Sequence, residues 1–185
     1  MSVFGDGLDA AVQKAFTRPA PKSAPAQMRY LVKQLKSTKA VAQMLRISQR
    51  TVERYVKDQI KKPRPDLAAR LENEVKKRWQ PQIRAKARQK AATTDGIVID
   101  TRARIGYTAP IGTTDEDRLR HLTVALPPRY AARLFNAQEQ GASDQQLQQI
   151  AAEALKEVYF QDNGRRAGQL EEVRFTDIEH LEFDL

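Results

Sequence analysis

Thr38 to Lys57 reads T-K-A-V-A-Q-M-L-R-I-S-Q-R-T-V-E-R-Y-V-K, and this stretch decides the fold of the first half of the chain. Its apolar positions suit two short helices that cross at a steep angle. Val41 and Leu45 share the inward face of the first, Ala42 is small where two backbones approach, and Ile47 plugs the turn. Val52, Tyr55 and Val56 form the inner face of the second helix, which Ser48 is placed to cap. The remaining side chains, Gln49, Arg50, Glu53, Arg54 and Lys57, point outward, where a recognition helix of a helix-turn-helix presents its first two turns to base edges. Gln can bond adenine bidentately and Arg guanine. Ser48 and Thr51, with the Lys61, Lys62 and Arg64 cluster that follows, are placed to meet phosphate. Arg46 occupies the turn position where glycine is usual, so the turn takes either a left-handed arginine or a slightly different geometry.

Charge supports a polyanionic partner for this half. Residues 1–95 hold 22 Lys or Arg against 8 Asp or Glu, net +14, and residues 96–185 hold 10 against 15, net −5, which together give the chain's +9. There is no cysteine, so disulfides and thiolate metal sites are excluded. The two histidines, His121 and His180, are too few and too far apart in sequence to suggest a metal cluster. No apolar run reaches transmembrane length and the first residues do not read as a secretory signal, so the expected location is cytoplasmic and nucleoid-associated, with no membrane partner.

Working outward, Leu8, Val12 and Phe16 recur every fourth residue and predict a short helix, followed by a Pro/Ala-rich linker over Arg18 to Ala26. Met28, Leu31, Val32 and Leu35 predict a helix before the crossed pair. After Lys61-Lys62-Pro63-Arg64-Pro65, Asp66 is placed to cap a longer helix striped by Leu67, Leu71, Val75 and Trp79, which Pro81 ends or kinks. The cationic run from Lys76 through Arg84 and Arg88 to Lys90 reads as a solvated tail leaving the domain. Beyond Thr94 the spacing switches to alternation. Ile97, Ile99, Ala103, Ile105 and Tyr107 predict one strand, and Arg120, Leu122, Val124 and Leu126 a second strand paired with it. Thr108 to Asp117 is a loop between them with a Thr113-Thr114-Asp115-Glu116-Asp117 tip. Two helices follow, the first opened by Pro127-Pro128 and ended by Gly141, the second started by a Ser143/Gln146 capping box. Val173 to Phe183 predicts a last strand or strand pair. The expected class is α+β: residues 1–26 a helix and linker, 27–92 a helical helix-turn-helix domain with a basic helix, and 93–185 a small α/β domain with an antiparallel hairpin.

Three stretches carry a further likeness: M-S-V-F-G-D-G-L-D-A-A-V-Q-K-A-F at the start, V-A-Q-M-L-R-I-S-Q-R-T-V-E-R-Y in the crossed helices, and I-G-Y-T-A-P-I-G-T-T-D-E-D-R-L-R in the hairpin. In these the chain resembles, end to end, the telomere-protecting terminal proteins of linear Streptomyces chromosomes and plasmids. The resemblance implies a protein that binds telomeric DNA, becomes covalently joined to the 5′ end and primes end replication, together with a telomere-associated protein and a DNA polymerase. A protein primer must offer a hydroxyl that attacks the α-phosphate of a deoxynucleotide. Thr114 matches the position the family uses, and Thr113 is its rival; from spacing alone, a threonine that only caps the turn through its side chain is the favoured reading of either. Asp115, Glu116 and Asp117 are read as solvated loop acids, and Tyr107 and Tyr130 as core residues. The chain is expected to be acceptor and primer rather than enzyme, with no catalytic residue, cofactor or metal of its own, divalent metal being supplied at the polymerase. The alternative expectation is a helix-turn-helix transcriptional regulator.

Overall fold

The computed structural model describes residues 2–108, 114–161 and 170–185, and the class is α+β. In chain order the elements are α1 (Val3–Lys14), α2 (Ala24–Leu35), α3 (Thr38–Leu45), α4 (Gln49–Val56), α5 (Pro65–Arg78), α6 (Pro81–Lys90), β1 (Ile97–Thr108), β2 (Thr114–Leu126), α7 (Pro128–Glu139), α8 (Asp144–Leu155) and β3 (Glu172–Asp184). They form two compact units. A helical unit spans Thr17–Pro81, and a sheet unit is built from Met1–Phe16 together with Gln82–Leu185. The helical unit therefore interrupts the sheet unit in sequence. This partition differs from the expected boundaries at 26 and 92, because α1 and α6 both pack with the sheet unit.

The helical unit is organised by one core, in which Met28, Leu31, Val41, Leu45, Val52 and Leu71 are wholly buried. Each helix contributes a stripe at three- and four-residue spacing, and burial of such side chains contributes about 1.5–3 kcal/mol apiece. The Pro/Ala-rich stretch is not a free linker. Ala24 and Pro25 open α2 and are buried, and the Gln27 side chain donates to the Pro21 carbonyl at 3.0 Å. Pro65 and Asp66 stand in the first turn of α5, whose N-cap position is held by Arg64 with no side-chain cap. After Arg78 the chain turns at Trp79 and Gln80, and Pro81 opens α6. Trp79 lies against Tyr30, ring centres 4.9 Å apart, and donates to the Arg18 carbonyl.

The sheet unit places one three-stranded antiparallel sheet, order β2-β1-β3, against α1, α7 and α8. Ile97, Ile99, Ala103 and Ile105 of β1 face the helices, while Arg102 and Arg104 alternate onto the exposed face. Buried Thr101 donates its hydroxyl to the His180 carbonyl, beside the register shift between Arg102 and Ala103. The last strand is a single one. The hairpin differs from expectation: β2 starts at Thr114, which pairs with Thr108, and Asp115 pairs with Tyr107. β2 thus begins before the expected strand start at Arg118: Thr114 and Asp115 pair with β1 beyond the irregularity between Ile105 and Tyr107, at which Glu116 and Asp117 of β2 have no partner on β1.

Two features fix the sheet unit's helices. Asp144, in the first turn of α8, accepts from the Ser2 hydroxyl and the backbone N–H groups of Val3, Phe4 and Gly5 at 2.9–3.1 Å, so one carboxylate caps α1 from a distant part of the chain. Gly7 lets α1 come close to β3, since a Cβ there would stand 3.1 Å from the Phe183 ring. The supposed cationic tail is likewise tied down. Arg84 pairs with Asp9, and Arg88 pairs with Asp9 and Glu139 while its guanidinium lies over the Phe135 ring. These arginines hold α6 against α1 and α7, a use of charge that spacing alone does not reveal. Beyond α6, Gly96 has φ +77° and lies so close to Leu126 that a Cβ would come within 2.1 Å of its carbonyl oxygen, which only glycine permits.

Candidate nucleic-acid interface

The candidate surface is built on α4, whose neighbours position it from both ends. Arg46 ends α3 in the left-handed conformation at φ 54°, with Ile47 N–H bonded to the Ala42 carbonyl and Arg46 N–H to that of Gln43. The turn therefore takes a left-handed arginine. Ser48 caps α4: its Oγ accepts from the Thr51 N–H at 3.2 Å and shares a hydrogen bond with the Thr51 hydroxyl at 2.8 Å. At the other end Arg29 of α2 donates to the Val56 carbonyl and pairs with Asp58 at 2.7 Å. Tyr55 and Val52 anchor the inner face, and burial pushes the Tyr55 hydroxyl's pKa up.

The outer face carries the residues expected there, with two divisions among them. Gln49 is engaged, donating to the Thr38 hydroxyl at 3.1 Å and to Glu53 at 2.9 Å, so a contact from it to a base would require it to give up those partners. Arg50, Arg54 and Lys57 are exposed and form no ion pair among the described residues. Lys61, Lys62 and Arg64, between α4 and α5, are exposed in the same way. Ser48 and Thr51 are occupied with the cap, so a phosphate contact from either hydroxyl would share an oxygen already in use. The helical unit as a whole holds 17 Lys or Arg against 5 Asp or Glu, net +12, which leaves net −3 for the rest of the chain. This is a narrower division than the +14 against −5 of the two halves of the sequence, because the fold assigns the cationic α6 to the sheet unit.

Beside α4 lies a cleft of about 620 Å³ whose floor is apolar, from Ile47, Tyr55 and Ile60, and whose rim carries Lys62, Arg64 and Arg70. Arg70 was not among the residues singled out by sequence, because only the fold brings the second turn of α5 beside the start of α4.

The expected linkage site falls differently. Thr113 lies outside the described residues, and Thr114 is the first residue of β2, paired in register with Thr108. Of the tyrosines, Tyr130 is buried with its hydroxyl donating to Glu157 at 2.5 Å, and burial followed by that carboxylate raises its pKa. Tyr107 packs on the sheet unit's core with its ring 5.6 Å from that of Phe160.

Sequence reasoning also missed the place where the histidines meet. Both Nε2 atoms reach the same Asp100 oxygen, His121 at 3.4 Å and His180 at 3.3 Å, because β2 and β3 flank β1 at that register. The Thr123 hydroxyl, more than the histidines, holds the Asp100 carboxyl below the usual carboxylate range. Among the described residues no group of three or more acid or histidine side chains is arranged to hold a metal ion, and no helix is long and apolar enough to cross a membrane. Comparison of the chain with protein-family models, with curated proteins and with solved structures finds no match.

Proposed function

We propose that α3, its turn and α4 form a DNA-reading helix-turn-helix and that the chain is a telomere terminal protein. In this reading it binds telomeric DNA, is joined covalently to the 5′ DNA end and serves as protein primer for end replication. The observation that carries the DNA reading is the outward face of α4, where Arg50, Arg54 and Lys57 have no ion-pair partner among the described residues in a unit of net charge +12. Elsewhere in the chain Arg84 and Arg88 are used up in tertiary ion pairs, so cations left without a use inside the fold are the ones available to phosphates and bases. The terminal-protein reading rests on the resemblance of the three quoted stretches and on Thr114, which offers an alcohol beside the β1–β2 connection. There the hydroxyl oxygen would attack the α-phosphorus of a deoxynucleoside triphosphate, form the phosphodiester, and release pyrophosphate. The polymerase would supply the divalent metal, and a telomere-associated protein would assist. The chain is then acceptor and primer, not the enzyme.

DNA binding is tested by titrating a telomere-end duplex and an unrelated duplex at several salt concentrations. Arg50→Ala or Arg54→Ala should lose about 1–3 kcal/mol of discrimination between them. Lys62→Ala should weaken both equally and make the salt dependence shallower by about one counterion. Unchanged affinity in all three variants would refute the DNA reading.

Priming is tested with polymerase extract, partner protein and a labelled deoxynucleotide on denaturing gels. The label should be found on the wild-type chain and be absent from Thr114→Val. Label persisting on that variant rejects Thr114 and passes the role to Thr113. A plain regulator using the same helix would acquire no label and would shed all DNA on denaturation.

A further inference from the structure

The cleft beside α4 has a composition that phosphate contact alone does not require. Lys62, Arg64 and Arg70 stand at its rim, and the first two have no ion pair among the described residues. Arg70 is steadied by the bond from its Nε to the Asp66 carbonyl, 3.2 Å, which leaves the terminal nitrogens of the guanidinium for a ligand. Asp66 is the one acid on the rim, against three cations. Beneath them Ile47 and Ile60 are half-buried and Tyr55 is almost fully buried, so the floor is an apolar surface left open to solvent. At about 620 Å³ the space falls within the roughly 300–1,000 Å³ that small-molecule sites occupy, far more than one phosphate fills.

We infer that this cleft binds a nucleotide unit, with its phosphate at Lys62, Arg64 and Arg70 and its base on the Ile47 and Ile60 floor. The two chemistries of the site correspond to the two halves of such a ligand. A phosphate group is bound by cations, and a base prefers to cover an apolar surface rather than remain in water. The inference rests on the DNA reading for its preferred source, an unpaired nucleotide at the end of a duplex bound by α4. A free deoxynucleotide presents the same chemistry. A base-paired nucleotide does not, since its base stays in the stack.

The test compares a blunt duplex with the same duplex ending in one unpaired 2-aminopurine nucleotide, and adds free deoxynucleoside monophosphate as a third titrant. The wild-type chain should bind the unpaired end about tenfold more tightly than the blunt end, with a change in 2-aminopurine fluorescence. Ile60→Trp, which fills the floor, should abolish that preference and leave blunt-duplex affinity unchanged. Arg70→Gln should reduce the preference without touching the floor, and circular dichroism melts identify any variant that fails to fold. Saturable binding of the free monophosphate that Ile60→Trp removes would assign the cleft to free nucleotide. Equal affinity for the two duplexes with no binding of the monophosphate overturns the inference and leaves the DNA reading standing. Failure of both duplexes to bind in a salt-dependent way overturns the two together.

Discussion

Arg46 bears a local conformational cost that its neighbours impose. A left-handed backbone costs an L-residue about 1–2 kcal/mol, and here the position is dictated by the need to turn from α3 into α4 within three residues. Arg46→Gly should therefore raise the unfolding free energy by about 0.5–1 kcal/mol once glycine's extra chain entropy is counted. A urea midpoint that falls instead would show that the arginine side chain stabilises the turn by more than its backbone costs. Much at this scale was legible in the sequence. Ser48 as cap and Val52 and Tyr55 as anchors, with Ala42 on the buried side, all follow from short-range spacing. The engagement of Gln49 by Thr38 was not, since it joins residues eleven apart on different helices.

Among the elements, α1 shows where sequence reading reaches its limit. Its amphipathic spacing is plain, but spacing says only that Leu8, Val12 and Phe16 need covering, and not by what; buried Phe4 joins that face in the structure. The answer lies in α8 and β3, together with the carboxylate of Asp144 on the first N–H groups of the helix. Asp144→Ala should cost about 1–2 kcal/mol, as loss of a helix cap does, and Asp144→Asn should recover most of it. Chemical denaturation of the whole chain measures both, and an unaffected alanine variant would contradict the capping role. The same limit explains α6. Its arginines read as a solvated tail because their partners, Asp9 and Glu139, are 75 and 51 residues away. The start of β2 escapes sequence reading for a different reason: Asp115, Glu116 and Asp117 are poor strand formers by composition, yet pairing of Thr114 and Asp115 with β1 carries β2 past them.

For the molecule as a whole, the decisive fact is that a cationic helical unit is inserted into a sheet unit of slightly negative charge. The incoming and outgoing segments run side by side inside the helical unit, where the Thr17 N–H bonds to the Gln80 side chain at 3.1 Å and Trp79 bonds to Arg18. Replacing residues 17–81 by a short Gly/Ser link should consequently leave a sheet unit that unfolds cooperatively and, if α4 is the proposed DNA reader, lacks salt-sensitive DNA affinity. The excised residues 17–81 should keep that affinity. A product lacking a cooperative melt, or DNA binding that follows the sheet unit, would show that the two units are not separable in this way. Neither the charge division nor the alternation in the sequence discloses the insertion, because both describe neighbours along the chain.

The same arrangement sets an order of events at the ribosome. The apolar face of α1 is translated before, and β3, which covers it, after a complete helical unit. A nascent polypeptide accordingly carries an uncovered helix and an unpaired edge of β1 until β3 has been made, the kind of exposed surface that favours aggregation. Products truncated before β3 would expose that surface permanently and enter aggregates, even where their helical unit has already folded.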